Sequence, residues 1–110
     1  MVNKPKTPTP PKTSKAGRWH EFNTFVDLTL RTLTPSEVRV WLVLFRDLKA
    51  KTGTARAGQL DIARRTGLSE RQVRYALAGL VQKKLVRVVV RGRLGSGAST
   101  YRVRAIVPDG

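Results

Sequence analysis

Residues 59–82 read QLDIARRTGLSERQVRYALAGLVQ, and three of them indicate two short helices joined by a tight turn. Ala63 is small, so it lets two helices cross closely. Gly67, four residues later, suits the left-handed conformation found at helix ends. Val73, six residues after the glycine, is a branched residue that can anchor the second helix in a core. This spacing predicts a helix-turn-helix.

The second helix of this motif has a well-marked start. Ser69 is a favourable N-cap residue, and Gln72 stands three positions on, where its side chain can return a hydrogen bond to the cap backbone. We therefore predict helices over residues 58–66 and 69–82. The apolar residues of the second helix that share a face are predicted to point inward; they are Val73, Ala76, Leu77, Leu80 and Val81.

Another helix start lies upstream, at Thr34-Pro35-Ser36-Glu37, with an N-cap hydroxyl, proline at the first helical position and glutamate at the third. The helix that follows is apolar on more than one side, which indicates a central core helix. A short strand is predicted after it, at residues 54–56. The main apolar stripe of the helix is predicted to contain Val38, Trp41, Leu42, Phe45 and Leu48.

The first 17 residues differ from the rest in composition, with four prolines, four lysines, no acidic residue and almost no bulky apolar residue. Such a stretch cannot bury enough surface to offset its ordering entropy. We predict a disordered basic N-terminal arm over residues 1–17 and one domain over residues 18–110. A short leading helix is predicted from apolar residues at helical spacing, namely Phe22, Val26, Leu30 and Leu33.

Two runs near the end of the chain alternate between apolar and polar residues, as half-buried strands do. In residues 85–91 the side chains of Val86, Val88 and Val90 are predicted to point inward, and residues 101–107 repeat the pattern from Tyr101 on. Three glycines lie between the runs. The two runs predict a hairpin with a flexible, basic tip.

The chain has a formal net charge of +15, from 22 Lys and Arg against 7 Asp and Glu. Without the four lysines of the arm, 18 basic residues remain, so the folded part is itself strongly basic. Such an imbalance is typical of proteins whose partner is a polyanion, most often nucleic acid. The longest apolar run, residues 40–45, is too short for a membrane-spanning helix, which needs about 20 residues. We expect no membrane partner.

The residue types for metal and cofactor chemistry are scarce. The chain has no cysteine, which excludes disulfides, cysteine-ligated zinc and a thiol nucleophile, and the single His20 cannot build a histidine metal site. The aspartates show no paired-carboxylate or metal-ligand spacing. We therefore predict no cofactor, no metal site and no enzymatic activity.

In the order of its elements, the chain resembles bacterial winged helix-turn-helix DNA-binding proteins over about residues 34–107. The resemblance implies a fold that is mainly α with a small β-hairpin wing, in which the second motif helix enters the major groove and the wing follows the backbone or the minor groove. One departure is Ala76, where a larger apolar residue is common, with Leu77 supplying the packing. The matching segments are LTPSEV (33–38), TGTAR (52–56), GLS (67–69) with Val73 and Arg74, KLV (84–86) and STYRV (99–103).

The outward face of the second motif helix and the wing supply the candidate site. Arginine and glutamine can pair bidentately with guanine and adenine edges, and wing arginines can contact phosphates. For Tyr75 the alternative is stacking on its own helix. Arg102 and Arg104 could instead keep an edge strand from pairing with another chain. The predicted DNA-binding residues are Ser69, Arg71, Gln72, Arg74, Tyr75, Arg91 and Arg93.

These features lead us to expect a sequence-specific double-stranded DNA-binding protein, a transcriptional regulator associated with the nucleoid in the cytoplasm. Two alternatives stay open: the DNA-binding module of a plasmid or phage replication initiator, and a winged helix that binds RNA or another protein. The oligomeric state is also open. Trp19, Phe22 and Phe25 either leave an apolar surface on the leading helix for a homodimer or cap the core.

Overall fold

The computed structural model describes residues 14–49, 51–92 and 97–106, and in these ranges the chain forms helices and one small antiparallel sheet. The predicted central helix, both motif helices, the short strand and the first of the two later strands are confirmed. The second later strand, predicted over residues 101–107, runs from Ser99 to Val103 instead; residues 104–106 are not in a strand, and Val107 lies outside the described residues. In chain order the elements are helix α1 (Ser14–Thr24), helix α2 (Pro35–Asp47), strand β1 (Thr54–Ala57), helix α3 (Gln59–Thr66), helix α4 (Glu70–Gln82), strand β2 (Val86–Val90) and strand β3 (Ser99–Val103).

The predicted starts of α2 and α4 both form reciprocal caps. The Thr34 hydroxyl accepts a hydrogen bond from the Glu37 amide at 3.2 Å, and the Thr34 amide donates to the Glu37 carboxylate at 3.0 Å. The Ser69 hydroxyl accepts from the Gln72 amide at 3.0 Å, and the Ser69 amide donates to the Gln72 side-chain oxygen at 2.9 Å. Each cap satisfies two amide groups that would otherwise lack a partner at the helix start.

The turn between α3 and α4 depends on Gly67, which has a φ of +79°. Its amide donates to the Ala63 carbonyl at 2.9 Å and closes the last turn of α3. Arg39 of α2 also caps this helix end, because its guanidinium donates to the Thr66 carbonyl at 3.1 Å. A left-handed residue at this position reverses the chain within three residues, so α4 starts at once.

The leading segment differs from the predicted helix in its start and in its winding. Helix α1 begins at Ser14, inside the predicted arm, and residues 1–13 of that arm lie outside the described residues. After α1 the chain makes one π-helical turn, Phe25–Thr29, and a short 3-10 segment, Leu30–Thr32. Val26, the second residue of the π-turn, points outward instead of joining the predicted apolar stripe, while Phe25 and Thr29 are buried.

The buried side of α2 is rotated from the predicted stripe. Leu42 is 40% exposed, whereas the residues fully enclosed by neighbouring elements are Val40, Trp41 and Leu44. The Trp41 ring stacks on Phe25 with a centroid separation of 3.6 Å, and its indole N–H donates to the Arg104 carbonyl at 2.9 Å. Phe25 therefore caps the core, while Trp19 remains 64% exposed.

The strands pair antiparallel in the order β1-β3-β2, so β3 is the central strand of the sheet. The sequence-based interpretation of Arg102 as protection for a sheet edge is therefore wrong for this strand, since both of its sides are paired. The ladder shifts between Val88 and Val90, which leaves Val90 58% exposed rather than inward. Extra residues at such bulges turn the following side chains away from the original face.

One hydrophobic core joins the helices to the inner face of the sheet. Helix α4 contributes Val73, Ala76, Leu77 and Leu80, all buried as predicted, but Val81 is 41% exposed and does not belong to this face. The core residues contributed by the strands, and by Leu85 directly before β2, are Ala55, Ala57, Leu85, Val86, Tyr101 and Val103.

Candidate nucleic-acid interface

The exposed face of α4 presents three of the seven predicted site residues together. Arg71 and Arg74 are one turn apart and exposed, and Tyr75 is 64% exposed beside them. The opposite face of the same helix is packed in the core, so the orientation of this basic face is fixed by burial. We call the side chains of Arg71, Arg74 and Tyr75 the α4 face.

Arg71 and Tyr75 contact each other along the helix. The Arg71 Nε donates to the Tyr75 hydroxyl at 3.2 Å, and the guanidinium lies 5.7 Å from the centroid of the tyrosine ring. Residues four apart on a helix are neighbours, which is why this pair can form. The contact combines a hydrogen bond with a cation–π interaction and holds the arginine in one orientation. Tyr75 thus packs on its own helix while staying accessible.

Ser69 and Gln72, also predicted to bind DNA, are engaged in the cap of α4. The Gln72 side-chain oxygen accepts from the Ser69 amide, so it is occupied, while the amide nitrogen of the same side chain is left to donate. Bidentate pairing with adenine needs the oxygen as well as the nitrogen. In this conformation the Gln72 amide nitrogen is left to donate, while the oxygen is shared with the helix cap.

Of the two predicted wing residues, Arg91 and Arg93, the structure describes Arg91 alone. Arg91 directly follows β2 and is exposed, and no hydrogen-bond or ion-pair partner is found for it in the described part of the chain. Arg93 lies outside the described residues. The structure therefore brings Arg71, Arg74 and Tyr75 together and does not relate the wing tip to them.

Helix α4 is held at its last turns by a buried carboxylate. Glu37 is only 6% exposed, and its carboxylate accepts a hydrogen bond from Lys83 Nζ at 2.6 Å. Lys83 also donates to the Thr32 carbonyl at 3.1 Å. A partly buried ion pair with additional hydrogen bonds fixes the end of α4 to the start of α2. The sequence pattern assigned Glu37 only to the helix cap, because its second partner is 46 residues away.

Arg65, a basic residue of α3, is held by aspartate side chains of the protein itself. Arg65 of α3 donates to both oxygens of Asp47, at 3.1 and 2.6 Å, and to Asp61 at 2.8 Å. The hydrogen bonds from Arg65 hold the pKa of Asp47 below its ordinary value of 3.8, and the Asp47 contact likewise raises the pKa of Arg65. These contacts join α3 to the end of α2. They remove Arg65 from the cations that are available to a ligand.

Arg18 has a comparable structural role at the other side of α2. Its guanidinium donates to the Leu48 carbonyl at 2.6 Å and to the Phe45 carbonyl at 2.5 Å, and it lies 5.1 Å from the centre of the Phe45 ring. These carbonyls lie at the C-terminal end of α2, where the Phe45 carbonyl also accepts from the Leu48 amide at 3.1 Å. Arg18 thereby fastens α1 to the core helix.

Comparison with protein-family models and with curated protein sequences finds no match for this chain. None of the helices in the described part of the chain is long and apolar enough to cross a membrane. The same residues contain no group of three His, Asp or Glu side chains placed to bind a metal ion.

Proposed function

We propose that this protein is a winged helix-turn-helix protein that binds double-stranded DNA sequence-specifically and acts as a transcriptional regulator. The observation that carries the proposal is the α4 face: two exposed arginines on a helix that the core, its N-terminal cap and Lys83 hold in a fixed orientation. A rigid helix with outward arginines is the kind of element that reads base edges in the major groove.

Within this proposal the residues of the α4 face have different roles. Arg71 lies in the first turn of α4, the part of such a helix that reaches deepest into the groove, and we assign it to base contact. Tyr75 orients Arg71 through the hydroxyl contact. Arg74 is assigned to base or phosphate contact on the same face. Gln72 and Ser69 keep the helix start in shape, with the Gln72 amide nitrogen available as one further donor.

The strands that follow α4 are proposed to form the wing. Arg91 and Arg93 would contact phosphates, which adds affinity without sequence information. The net charge of +15 supports this reading, because it favours association with a polyanion over the whole surface. The proposal implies a location at the nucleoid in the cytoplasm and a binding function rather than catalysis.

The decisive experiment is selection of bound sequences from a pool of random DNA duplexes. We expect the native protein to enrich one motif, and Arg71→Ala to lose that enrichment. Arg46→Ala is the matched control, because the Arg46 side chain is 82% exposed and lies at the end of α2, away from the α4 face. Failure of the native protein to enrich any motif would contradict sequence-specific binding.

Two further readouts separate the alternatives. Competition of duplex RNA against duplex DNA in a gel shift tests the RNA-binding alternative, for which RNA would displace DNA at equal concentration. The symmetry of the selected motif tests the homodimer, because two copies related by a twofold axis select a palindrome. A regulator and a replication initiator share the same DNA-binding step, and the genomic position of the selected motif distinguishes them.

A further inference from the structure

The outer face of the sheet carries a second set of exposed arginines, separate from the α4 face. In β1 the buried residues are Ala55 and Ala57, and in β3 they are Tyr101 and Val103, so the residues between them point away from the core. The exposed basic residues on this outer face, which we call the sheet arginines, are Arg56, Arg87, Arg102 and Arg104.

The strand register places two of these charges directly opposite each other. Arg102 in the central strand pairs with Arg87 in β2 on one side and with Thr54 in β1 on the other. Side chains opposite each other on neighbouring strands have Cβ atoms about 5 Å apart, and like charges in this arrangement are destabilising. Among the described residues, no carboxylate lies within 4.0 Å of any sheet arginine. Arg87 and Arg102 of the sheet arginines therefore repel each other, and an anionic ligand bound beside them would reduce this repulsion.

Protection of a sheet edge can account for Arg56 and Arg87, which stand on the edge strands β1 and β2, but it does not account for Arg102. Charged residues discourage edge-to-edge pairing when they stand on an edge strand. Arg102 stands on β3, which is paired on both sides. The only hydrogen bond of the Arg102 side chain to a described residue is a long one, 3.5 Å, to the Thr52 carbonyl. The exposed guanidinium is thus left with most of its donors available.

The basic surface continues beyond the sheet into a neighbouring cleft. This cleft has a volume of about 580 Å³ and is lined by Arg102, Arg104 and Lys49, together with His20 from α1. Glu21 is the acidic residue in its lining. Positive groups outnumber negative ones here, so the sheet arginines belong to an extended cationic surface rather than to an isolated pair.

We propose that the sheet arginines bind the phosphate backbone of a second DNA duplex, so that one protein molecule holds two duplex segments. The inference extends the proposed DNA-binding function.

The core lies between the two basic surfaces, because α4 and the sheet both turn their buried side chains toward it. The sheet arginines therefore form a different surface from the α4 face, and the proposal assigns a separate duplex to each surface. The outer sheet face offers guanidinium groups and the Thr100 hydroxyl to phosphates and no element that enters a groove, whereas the Thr54 hydroxyl is hydrogen-bonded to the Thr52 hydroxyl at 2.7 Å. Binding there is independent of sequence.

A bridging assay tests this inference. One duplex is fixed to beads, a second duplex carries a fluorophore, and the full-length protein is added. We expect the native protein to retain the fluorescent duplex and Arg87→Gln/Arg102→Gln to retain roughly tenfold less, with the log–log salt slope of retention smaller by about two. On a single selected duplex the double variant should bind as well as the charge-matched Arg31→Gln/Arg46→Gln variant, because both leave the α4 face and Arg91 intact.

Arg31→Gln/Arg46→Gln is the matched control, because it removes the same charge from exposed positions outside the sheet. It should bridge like the native protein. Equal retention by the native protein and Arg87→Gln/Arg102→Gln would overturn the inference, as would no retention by the native protein. Preference for anionic lipid vesicles over the second duplex would also overturn it. A failure of motif selection with bridging intact would instead count against the proposed function alone. Thermal unfolding of each variant checks that the fold is retained.

Discussion

The carboxylate of Glu37 lies directly against the backbone of Gly79, in the next-to-last turn of α4. A Cβ atom built on Gly79 would overlap the Glu37 Oε2 atom. The same carboxylate accepts hydrogen bonds from the Thr34 amide and from Lys83. The glycine therefore allows one buried side chain to cap α2 and to hold the end of α4, and it controls how closely the two helices approach.

We expect Gly79→Ala to lower the free energy of unfolding by about 1–3 kcal/mol, because the new methyl group displaces Glu37 from its partners. Gly17→Ala is the matched control. Gly17 is also inside a helix, but within the described part of the chain nothing lies within 4 Å of a Cβ at that position. Alanine favours helix by up to about 1 kcal/mol over glycine, so the control should stabilise. Urea unfolding measures both. Stabilisation by Gly79→Ala would show that Glu37 is not confined there.

A second prediction concerns the two faces of α4. Leu77 is 6% exposed and packs in the core, so Leu77→Ala should lower the free energy of unfolding by about 2–4 kcal/mol. Replacement of Val81, which is 41% exposed, by alanine should lower the free energy of unfolding by less than about 1 kcal/mol. Thermal and urea unfolding of the two variants give the comparison. Similar losses at both positions would mean that the helix is rotated relative to this arrangement.

The Asp47–Arg65 contact should make stability depend on acid pH. The pKa of Asp47 is lower in the folded protein than its ordinary value of 3.8, so the contact stabilises the fold above that value. This contribution, about 1 kcal/mol, is lost as the pH falls through the folded pKa. Urea unfolding at a series of pH values should show Asp47→Asn with a smaller loss below about pH 4 than the native protein.

Asp61→Asn serves as the control for this prediction. Asp61 makes a single contact with Arg65 and its side chain is 48% exposed, against 22% for Asp47. We expect a smaller effect on stability at neutral pH from this variant. If Asp47→Asn followed the same acid unfolding profile as the native protein, the Arg65 contact would not be responsible for the dependence.

The local parts of the fold were predictable from the sequence because their causes are local. Thr34 with Glu37, Ser69 with Gln72, and Gly67 after Ala63 each act within four residues, and all three features formed as expected. The exposed arginines of α4 follow from the same helical spacing. Their contact with DNA is a prediction that the selection experiment tests.

Features that depend on distant partners were not predictable from spacing. The second partner of Glu37 is Lys83, and Arg18 caps a helix end 27 to 30 residues away. The alternating residues from Tyr101 on predict a strand, but they do not show that this strand, β3, pairs with β1 as well as with β2. The face of Val90 changed because a ladder shift altered the period on which the prediction relied.

The contact between Arg71 and Tyr75 gives the sharpest test of the α4 face. Tyr75→Phe keeps the ring beneath the guanidinium and removes the hydroxyl that accepts from Arg71 Nε. If Arg71 reads a base, freeing it should weaken binding to the selected duplex and leave binding to scrambled DNA unchanged. Arg71→Ala removes the base contact itself and should cost about 1–3 kcal/mol on the selected duplex.

Arg91→Ala is the control that separates base reading from backbone contact. Arg91 follows β2 and is exposed, and as a phosphate contact its loss should weaken binding to selected and scrambled duplexes equally, with the log–log salt slope smaller by about one. Titrations of all three variants on both duplexes at several salt concentrations provide the measurement. A change in sequence preference with Arg91→Ala, together with a uniform loss with Arg71→Ala, would exchange the proposed roles of helix and wing.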